Sequence, residues 1–462
     1  MQLAGSDADS AAMLGATLRA LRPQPTAADA EPAVPIAWSL RGPWRIRLML
    51  TAHRRHLEVE VSPAEGLEEV GEAHDALPVF NADAAGWTKG AKLRRLLAQE
   101  CTTPGLLHPD SVAVSASSGA ALTRGVDWEI DEQWGTIGRL EGSGALTDSD
   151  SAVSITYTWT PLRLDSLVLT ADGHGVELRQ GRPHGSAPPE PPLRPGERRL
   201  MNVWLPGRIA EEGLNPSFLF PVLDPDPDAA SALVDGSLPR TLAKLRAGAA
   251  VSIVAWGDSV TDGSYLPSPA DRWQEQFVAA LRERFPASEI SLRTEGWGGR
   301  STTSYLQEPA GSPRHFPTCV LGGSAPDLVI SEFVNDASLS AEQVAEQYGQ
   351  LGEVFGEAGS EWAILSPHYV RPGPVEGWME GLEQENGLAV EEDPRPYTAA
   401  LRAFVAAADA GVALGDAARL WGQLYRHGLP YTTLLLNSIN HPNRRGMATF
   451  AEALLPLFPA GA

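Results

Sequence analysis

The 462 residues include 36 Lys and Arg against 58 Asp and Glu, a net charge of −22. Such a surface repels phosphate backbones and anionic lipid, which excludes a nucleic-acid partner and a membrane-surface role and leaves a solvated acidic exterior as the plain reading. Cys101 and Cys319 lie far apart and outside any CxxC pair, which rules out a disulfide framework and a thiolate metal cluster.

At roughly 150 residues per domain the length allows two to four domains. Residues 1–30 show no basic start followed by a long apolar run, and no stretch approaches the roughly 18 apolar residues of a spanning helix. The expectation is a soluble protein, cytoplasmic by the absence of a visible signal peptide, with secretion left open.

From residue 38 to about 205 the apolar side chains recur at every second position. His56-Leu57-Glu58-Val59-Glu60-Val61 is one such run, and Val153, Ile155, Tyr157 and Trp159 form another with Ser154, Thr156 and Thr158 between them. Alternation of this kind buries one face of a strand. Further strands are expected over 44–50, 111–117, 164–171 and 176–179, separated by Gly, Asp and Pro turns. Many short strands imply an antiparallel, jelly-roll-like β-sandwich or a barrel. Residues 182–195 are Pro-rich and read as an extended surface excursion.

Beyond Asp224 the pattern changes. DPDPD reads as a linker, and 238–247 as a short helix with Pro near its start. Strands are expected over 251–256, 290–294, 327–334, 361–366 and 412–416, and helices over 273–285, 341–355, 396–408 and 444–458. Strand and helix in turn imply a parallel sheet covered by helices on both faces. The resulting division is an N-terminal extension over 1–30, a β-sandwich over 31–223, a linker over 224–237 and an α/β domain over 238–462.

Function in such a sheet sits where strands end and loops begin. Gly257-Asp258-Ser259 follows the first of these strands, so the Ser259 hydroxyl is placed at a strand end, although an ordinary helix cap explains Asp and Ser there equally well. Gly296-Trp297-Gly298-Gly299-Arg300-Ser301 follows the second strand, where glycine lets a backbone N–H approach a ligand. Asn335-Asp336 closes the third, and His441 precedes Pro442 and the terminal helix.

Ser, Gly, Asn and His in this chain order resemble the SGNH hydrolases, the GDSL esterase/lipase superfamily, over about residue 238 to the end. The resemblance implies a flavodoxin-like, three-layer α/β/α domain and hydrolysis of an ester without a metal or cofactor. It makes Ser259 the nucleophile and His441 the general base, with the N–H groups of Ser259 and Gly299 and the Asn335 amide as the oxyanion hole.

This sequence departs from the family pattern at three places. Phe333 stands where Gly is usual before Asn335, and Thr294 stands where Asn is usual before Gly296. Ser438 replaces the Asp that normally orients the histidine three residues later. Either Ser438, Asn437 or a backbone carbonyl orients His441 without charge, or a carboxylate from elsewhere, such as Asp416 or Asp262, takes the part.

Candidate substrate-binding residues are Asp258, Trp297, His368 and Arg395, with Trp256 and Trp378 also near the motif loops. A β-sandwich ahead of the catalytic domain resembles the arrangement in carbohydrate O-acetylesterases. The expected substrate is therefore a small-molecule or glycan ester with a short acyl group, and the oligomeric state is open. The rival expectations are a lipase or thioesterase for longer acyl chains and a non-catalytic carbohydrate-binding protein on a decayed hydrolase scaffold.

Overall fold

The computed structural model describes residues 33–460 except 52–53, 149, 225–233, 373–392 and 394. The proposed N-terminal extension and Trp378 lie outside the described residues, as does most of the expected linker.

The C-terminal half is a six-stranded sheet in the spatial order Val234–Gly236, Val412–Gly415, Glu361–Leu365, Leu328–Glu332, Val251–Gly257 and Ile290–Gly296. All neighbours pair in parallel except the Val234–Gly236 edge, which runs antiparallel to Val412–Gly415. Val251–Gly257, the first parallel strand in sequence, lies between the next two, Ile290–Gly296 and Leu328–Glu332. Its carboxyl end is therefore the point where the connections diverge to opposite sides of the sheet and open a crevice.

Alternate residues of this strand enter different layers. Ile253 and Ala255 join a core with Trp273, Phe277, Met447 and Phe450, whereas Val254 and Trp256 join Tyr348, Phe355 and Leu401. The helices Trp273–Arg284 and Arg444–Leu454 cover the first face, and Ala341–Ala358 and Pro396–Ala407 cover the second. This is the expected three-layer α/β/α arrangement: the inner strands Val251–Gly257, Leu328–Glu332 and Glu361–Leu365 are buried on both sides and mostly apolar, whereas the edge strand Ile290–Gly296 is polar and partly exposed.

The N-terminal half is antiparallel and sandwich-like. One four-stranded sheet runs Leu67–His74, Val153–Trp159, Ala113–Ala116, Ala121–Leu122, and another runs Val176–Arg179, Arg163–Leu169, Arg198–Leu205, Leu219–Pro221. Two smaller sheets and a two-stranded hairpin, Leu97–Ala98 with Cys101–Thr102, complete it. Val114, Val153, Ile155 and Tyr157 are buried, as the period of two requires.

Three features differ from the sequence reading. Val234–Gly236 falls within the stretch expected to be linker, yet it extends the six-stranded sheet. The helix Ala417–Arg426, capped by Asp416, was not expected. The Pro-rich excursion is irregular, but it carries Glu190 to an ion pair with Arg445 (2.6 Å) on the other half of the chain.

The two halves share one continuous apolar core. Polar bonds join them too: Asn202 Nδ2 donates to Gly428 O (2.7 Å), and the Thr103 and Ser438 hydroxyls meet at 2.6 Å. The β-rich half is thus packed onto the face of the α/β half that carries the His441 loop.

Candidate active site

Gly257 ends its strand against neighbours that leave no room for a side chain. A Cβ there would lie 2.3 Å from the Glu332 carbonyl oxygen and 2.1 Å from Thr261 Oγ1. Asp258 then caps the short helix Ser259–Asp262, its Oδ1 accepting from Val260 N at 2.9 Å. Ser259 is placed as the first residue of that helix, partly open to the crevice.

The His441 loop is built around Asn437. Its Oδ1 accepts the N–H groups of Ile439 (3.0 Å), Asn440 (2.8 Å) and His441 (2.9 Å), which closes a tight turn with Ser438 at φ +60°. The turn brings His441 Nε2 to 3.2 Å from Ser259 Oγ. Tyr265 lies parallel to the imidazole, with centroids 4.2 Å apart and 4° between the planes.

The other face of the ring's hydrogen-bonding capacity meets the β-rich half. His441 Nδ1 is 3.2 Å from Gln99 Oε1 and 3.1 Å from Glu100 Oε1. Gln99 and Glu100 form the two-residue turn of the Leu97–Thr102 hairpin, and neither was singled out from the sequence. Asn437 Nδ2 donates to the same Glu100 oxygen at 2.9 Å. Burial alone would raise the Glu100 pKa, but hydrogen bonds and charge from His441, with help from Asn437, lower it to about 2.

Ser438, expected as an orienter of His441, does not face the ring. Its hydroxyl is taken by Thr103 and its carbonyl oxygen accepts from Arg371 Nε at 2.5 Å. Asp416 is occupied by Ser366 and Arg402, and Asp262 accepts from Ser264 N.

The strand-end motifs are tied together by buried carboxyls. Asp258 Oδ2 accepts from Asn335 N (3.1 Å) and Nδ2 (2.8 Å). Asp336 accepts from Thr302 N (3.0 Å), Thr302 Oγ1 (2.7 Å) and Tyr348 OH (3.0 Å), which fixes the glycine loop to the Asn335 turn. Burial raises the pKa of Asp258 to about 6 and of Asp336 to about 7. Both departures in the motifs have partners: Phe333 packs edge-on against Trp256 (4.8 Å), and Thr294 Oγ1 accepts from Gln274 Nε2 at 3.2 Å.

Gly298 is the glycine that abuts Ser259, since a Cβ there would sit 3.7 Å from Ser259 Cβ. Gly299 follows at φ +70°, with open space around its Cα. Among the described residues, neither the Ser259 N–H nor the Gly299 N–H donates to a backbone or side-chain acceptor. Asn335 is differently placed from the expectation: its second amide proton goes to Arg300 O at 3.1 Å. Both protons are thus in use, and the amide reaches an oxyanion only by releasing Arg300.

The expected substrate contacts divide in the same way. Trp297 is half-buried, edge-on to Tyr305, with the Arg300 guanidinium 4.9 Å from its ring centroid. Asp258, His368 and Arg395 are fully buried and do not line the crevice. His368 Nε2 bonds Asn440 O (2.7 Å), and burial lowers its pKa to about 3. Arg395 is locked by Asp393 and by the carbonyls of Pro367 and His368. Trp256 is core. All are structural, because a side chain without exposed surface cannot meet substrate.

Residues 255–449 match the family model of the GDSL-like lipase/acylhydrolases. This chain carries a GDSL-family hydrolase domain. Among solved structures, the chain is similar to a two-domain esterase active on acetylated mannans (17% identity, TM-score 0.35, 48% of this chain and 51% of that one). Others are the acetylxylan esterase Axe2 of Geobacillus stearothermophilus (16%, TM-score 0.33, 45% and 94%) and a lipolytic G-D-S-L protein of Veillonella parvula DSM 2008 (18%, TM-score 0.31, 45% and 97%). The match spans about half the length of the two-domain esterase. No curated protein matches the chain. No described helix is long and apolar enough to cross a membrane.

Proposed function

We propose that this protein is a serine ester hydrolase that works through an acyl-Ser259 intermediate and removes a short acyl group, acetyl in the simplest case, from a carbohydrate hydroxyl. The observation that supports it is the 3.2 Å approach of His441 Nε2 to Ser259 Oγ at the end of the first parallel strand. His441 takes the hydroxyl proton as Oγ attacks the ester carbonyl, and returns it to the departing alcohol. Water then repeats the sequence on the acyl-enzyme. The N–H groups of Ser259 and Gly299 meet the oxyanion, a donor pair worth on the order of 3 kcal/mol per hydrogen bond removed.

Support for the carbohydrate part of the reading is chemical. The rim beside Ser259 is polar and exposed at Gly298, Gly299 and Arg300, which suits a hydroxyl-bearing alcohol better than an aliphatic one. A net charge of −22 favours a neutral substrate over a polyanionic glycan. The test is acetate release from acetylated mannan and acetylated xylan, with nitrophenyl esters from acetyl to octanoyl alongside. Ser259→Ala is expected to lower kcat/KM by at least about 10⁴-fold. Unchanged turnover in that variant overturns the mechanism, and rates that climb steadily to octanoyl replace the deacetylase by a longer-chain lipase or thioesterase.

A further inference from the structure

A histidine that shuttles a proton works best when a carboxylate fixes its tautomer and balances the imidazolium that forms. The position from which the family usually supplies that group holds Ser438, and its hydroxyl is bonded away from the ring. The nearest carboxylate to Nδ1 comes instead from the β-rich half, on the hairpin Leu97–Thr102.

Four observations give this contact the character of a built site. Glu100 Oε1 lies 3.1 Å from His441 Nδ1, while Gln99 Oε1 beside it offers a neutral acceptor at 3.2 Å. Asn437 bridges the two halves, donating to Glu100 with its amide while its oxygen holds the His441 N–H. Gln99 sits at φ +55°, and Ser438 on the facing turn at +60°. Only one other non-glycine described residue, Arg54, has positive φ, so two of the three strained positions flank this histidine; such strain persists where surrounding contacts enforce it. Finally, Ile439 of the histidine loop packs in one buried apolar cluster with Cys101 and Trp134, which joins the hairpin to the loop by apolar contact.

We propose that Glu100, supplied by the β-rich domain, is the positioning carboxylate of His441, so that the catalytic unit is assembled across the domain boundary. The proposal rests on the assignment of Ser259 and His441 above. Glu100 acts through the imidazole and does not touch the reacting atoms. Gln99 Oε1 accepts a hydrogen bond from Nδ1–H and Glu100 supplies the charge. The other ionisable groups around the ring are Tyr265, stacked on it, and the buried Asp258 and His368; none of them contacts Nδ1. The Glu100 side chain is 53% exposed, so water screens the pair and its effect is smaller than that of a buried triad acid.

The experiment compares Glu100→Gln, Glu100→Asp, Gln99→Ala and Ser259→Ala in the full chain, with kcat and KM measured from pH 5 to 9. Glu100→Gln is expected to lower kcat about 10–100-fold at constant KM, against about 10⁴ for loss of a buried acid. Its acidic limb should move to lower pH, because imidazolium loses its nearby negative charge. Glu100→Asp should keep the limb near its original position, and Gln99→Ala should lower kcat without moving it. A Glu100→Gln enzyme with full kcat and an unmoved limb overturns the proposal when Ser259→Ala is inactive. An active Ser259→Ala enzyme instead removes the mechanism on which the proposal stands. Equal melting temperatures across the set separate these outcomes from misfolding.

Discussion

The two nitrogens of His441 face two different kinds of protein. Nε2 meets Ser259, a residue of the same parallel sheet, placed by a strand end and a one-turn helix. Nδ1 meets a hairpin of the antiparallel half, more than 330 residues away in sequence. The bond-making side is held by backbone geometry and buried carboxyls within one layer structure. The orienting side depends on how two domains pack. The β-rich half is therefore a structural part of the candidate active site, and damage on the two sides should look different.

The largest effect is expected on the sheet side. Gly257→Ala forces a Cβ into the Glu332 carbonyl oxygen, which is backbone and cannot rotate away. The strand end must move, and Ser259 moves with it. A displacement near 1 Å costs about 100-fold in rate, and overpacking costs about 1–3 kcal/mol of stability. Kinetics with a denaturant midpoint check both, and an Ala variant with native kcat would show that the strand end is softer than its contacts imply.

A smaller effect is expected at the domain boundary. Ile439 is 4% exposed and packs among Cys101, Trp134 and the partly buried Trp87. Ile439→Ala leaves a cavity there and should cost about 2–4 kcal/mol. Because the lost contacts hold the hairpin to the histidine loop, kcat should fall several-fold while KM stays constant. If stability drops and kcat does not, the hairpin is held by its polar contacts alone.

The difference between the two sides also explains what the sequence revealed. The motifs around Ser259, Gly299 and Asn335 stood out because they follow apolar runs that the structure makes parallel strands, and the resemblance added His441; of these, the structure brings Ser259 and His441 within 3.2 Å, while the Asn335 amide is bonded to Asp258 and Arg300. Phe333 and Thr294 departed from the family pattern, yet each found a partner that preserves the local backbone. Gln99 and Glu100 were unreadable for a physical reason: a two-residue turn has no periodicity, and its position over His441 is set by packing between domains. The missing Asp at 438 was the one available signal. It points to a carboxylate from elsewhere, but Asp416 and Asp262, the carboxylates the sequence offers near the motifs, belong to the α/β domain and are bonded away from the ring. His368 and Arg395 show the opposite case: polar residues near a strand end, they have no exposed surface and are bonded within the core, His368 Nε2 to Asn440 O and Arg395 to Asp393.

Tyr265 belongs to both sides of the comparison and offers the finest test of it. Its ring lies flat on His441, and its carbonyl oxygen accepts from Gln99 Nε2 at 3.1 Å. The ring is a catalytic-domain contribution to the imidazole, whereas the carbonyl anchors the hairpin and survives any side-chain change. Tyr265→Leu therefore removes the stacking and leaves the anchor. An aromatic face in contact with a cation is worth about 0.5–2 kcal/mol, and in the proposed mechanism the ring carries positive charge while it holds the serine proton. The loss should fall on kcat, about 3–30-fold, with KM and the position of the Gln99 turn unchanged. Tyr265→Phe keeps the ring and should retain most of the rate. A Tyr265→Leu enzyme that loses affinity instead of turnover would make this residue a wall of the substrate crevice, and the orientation of His441 would then rest on the hairpin alone.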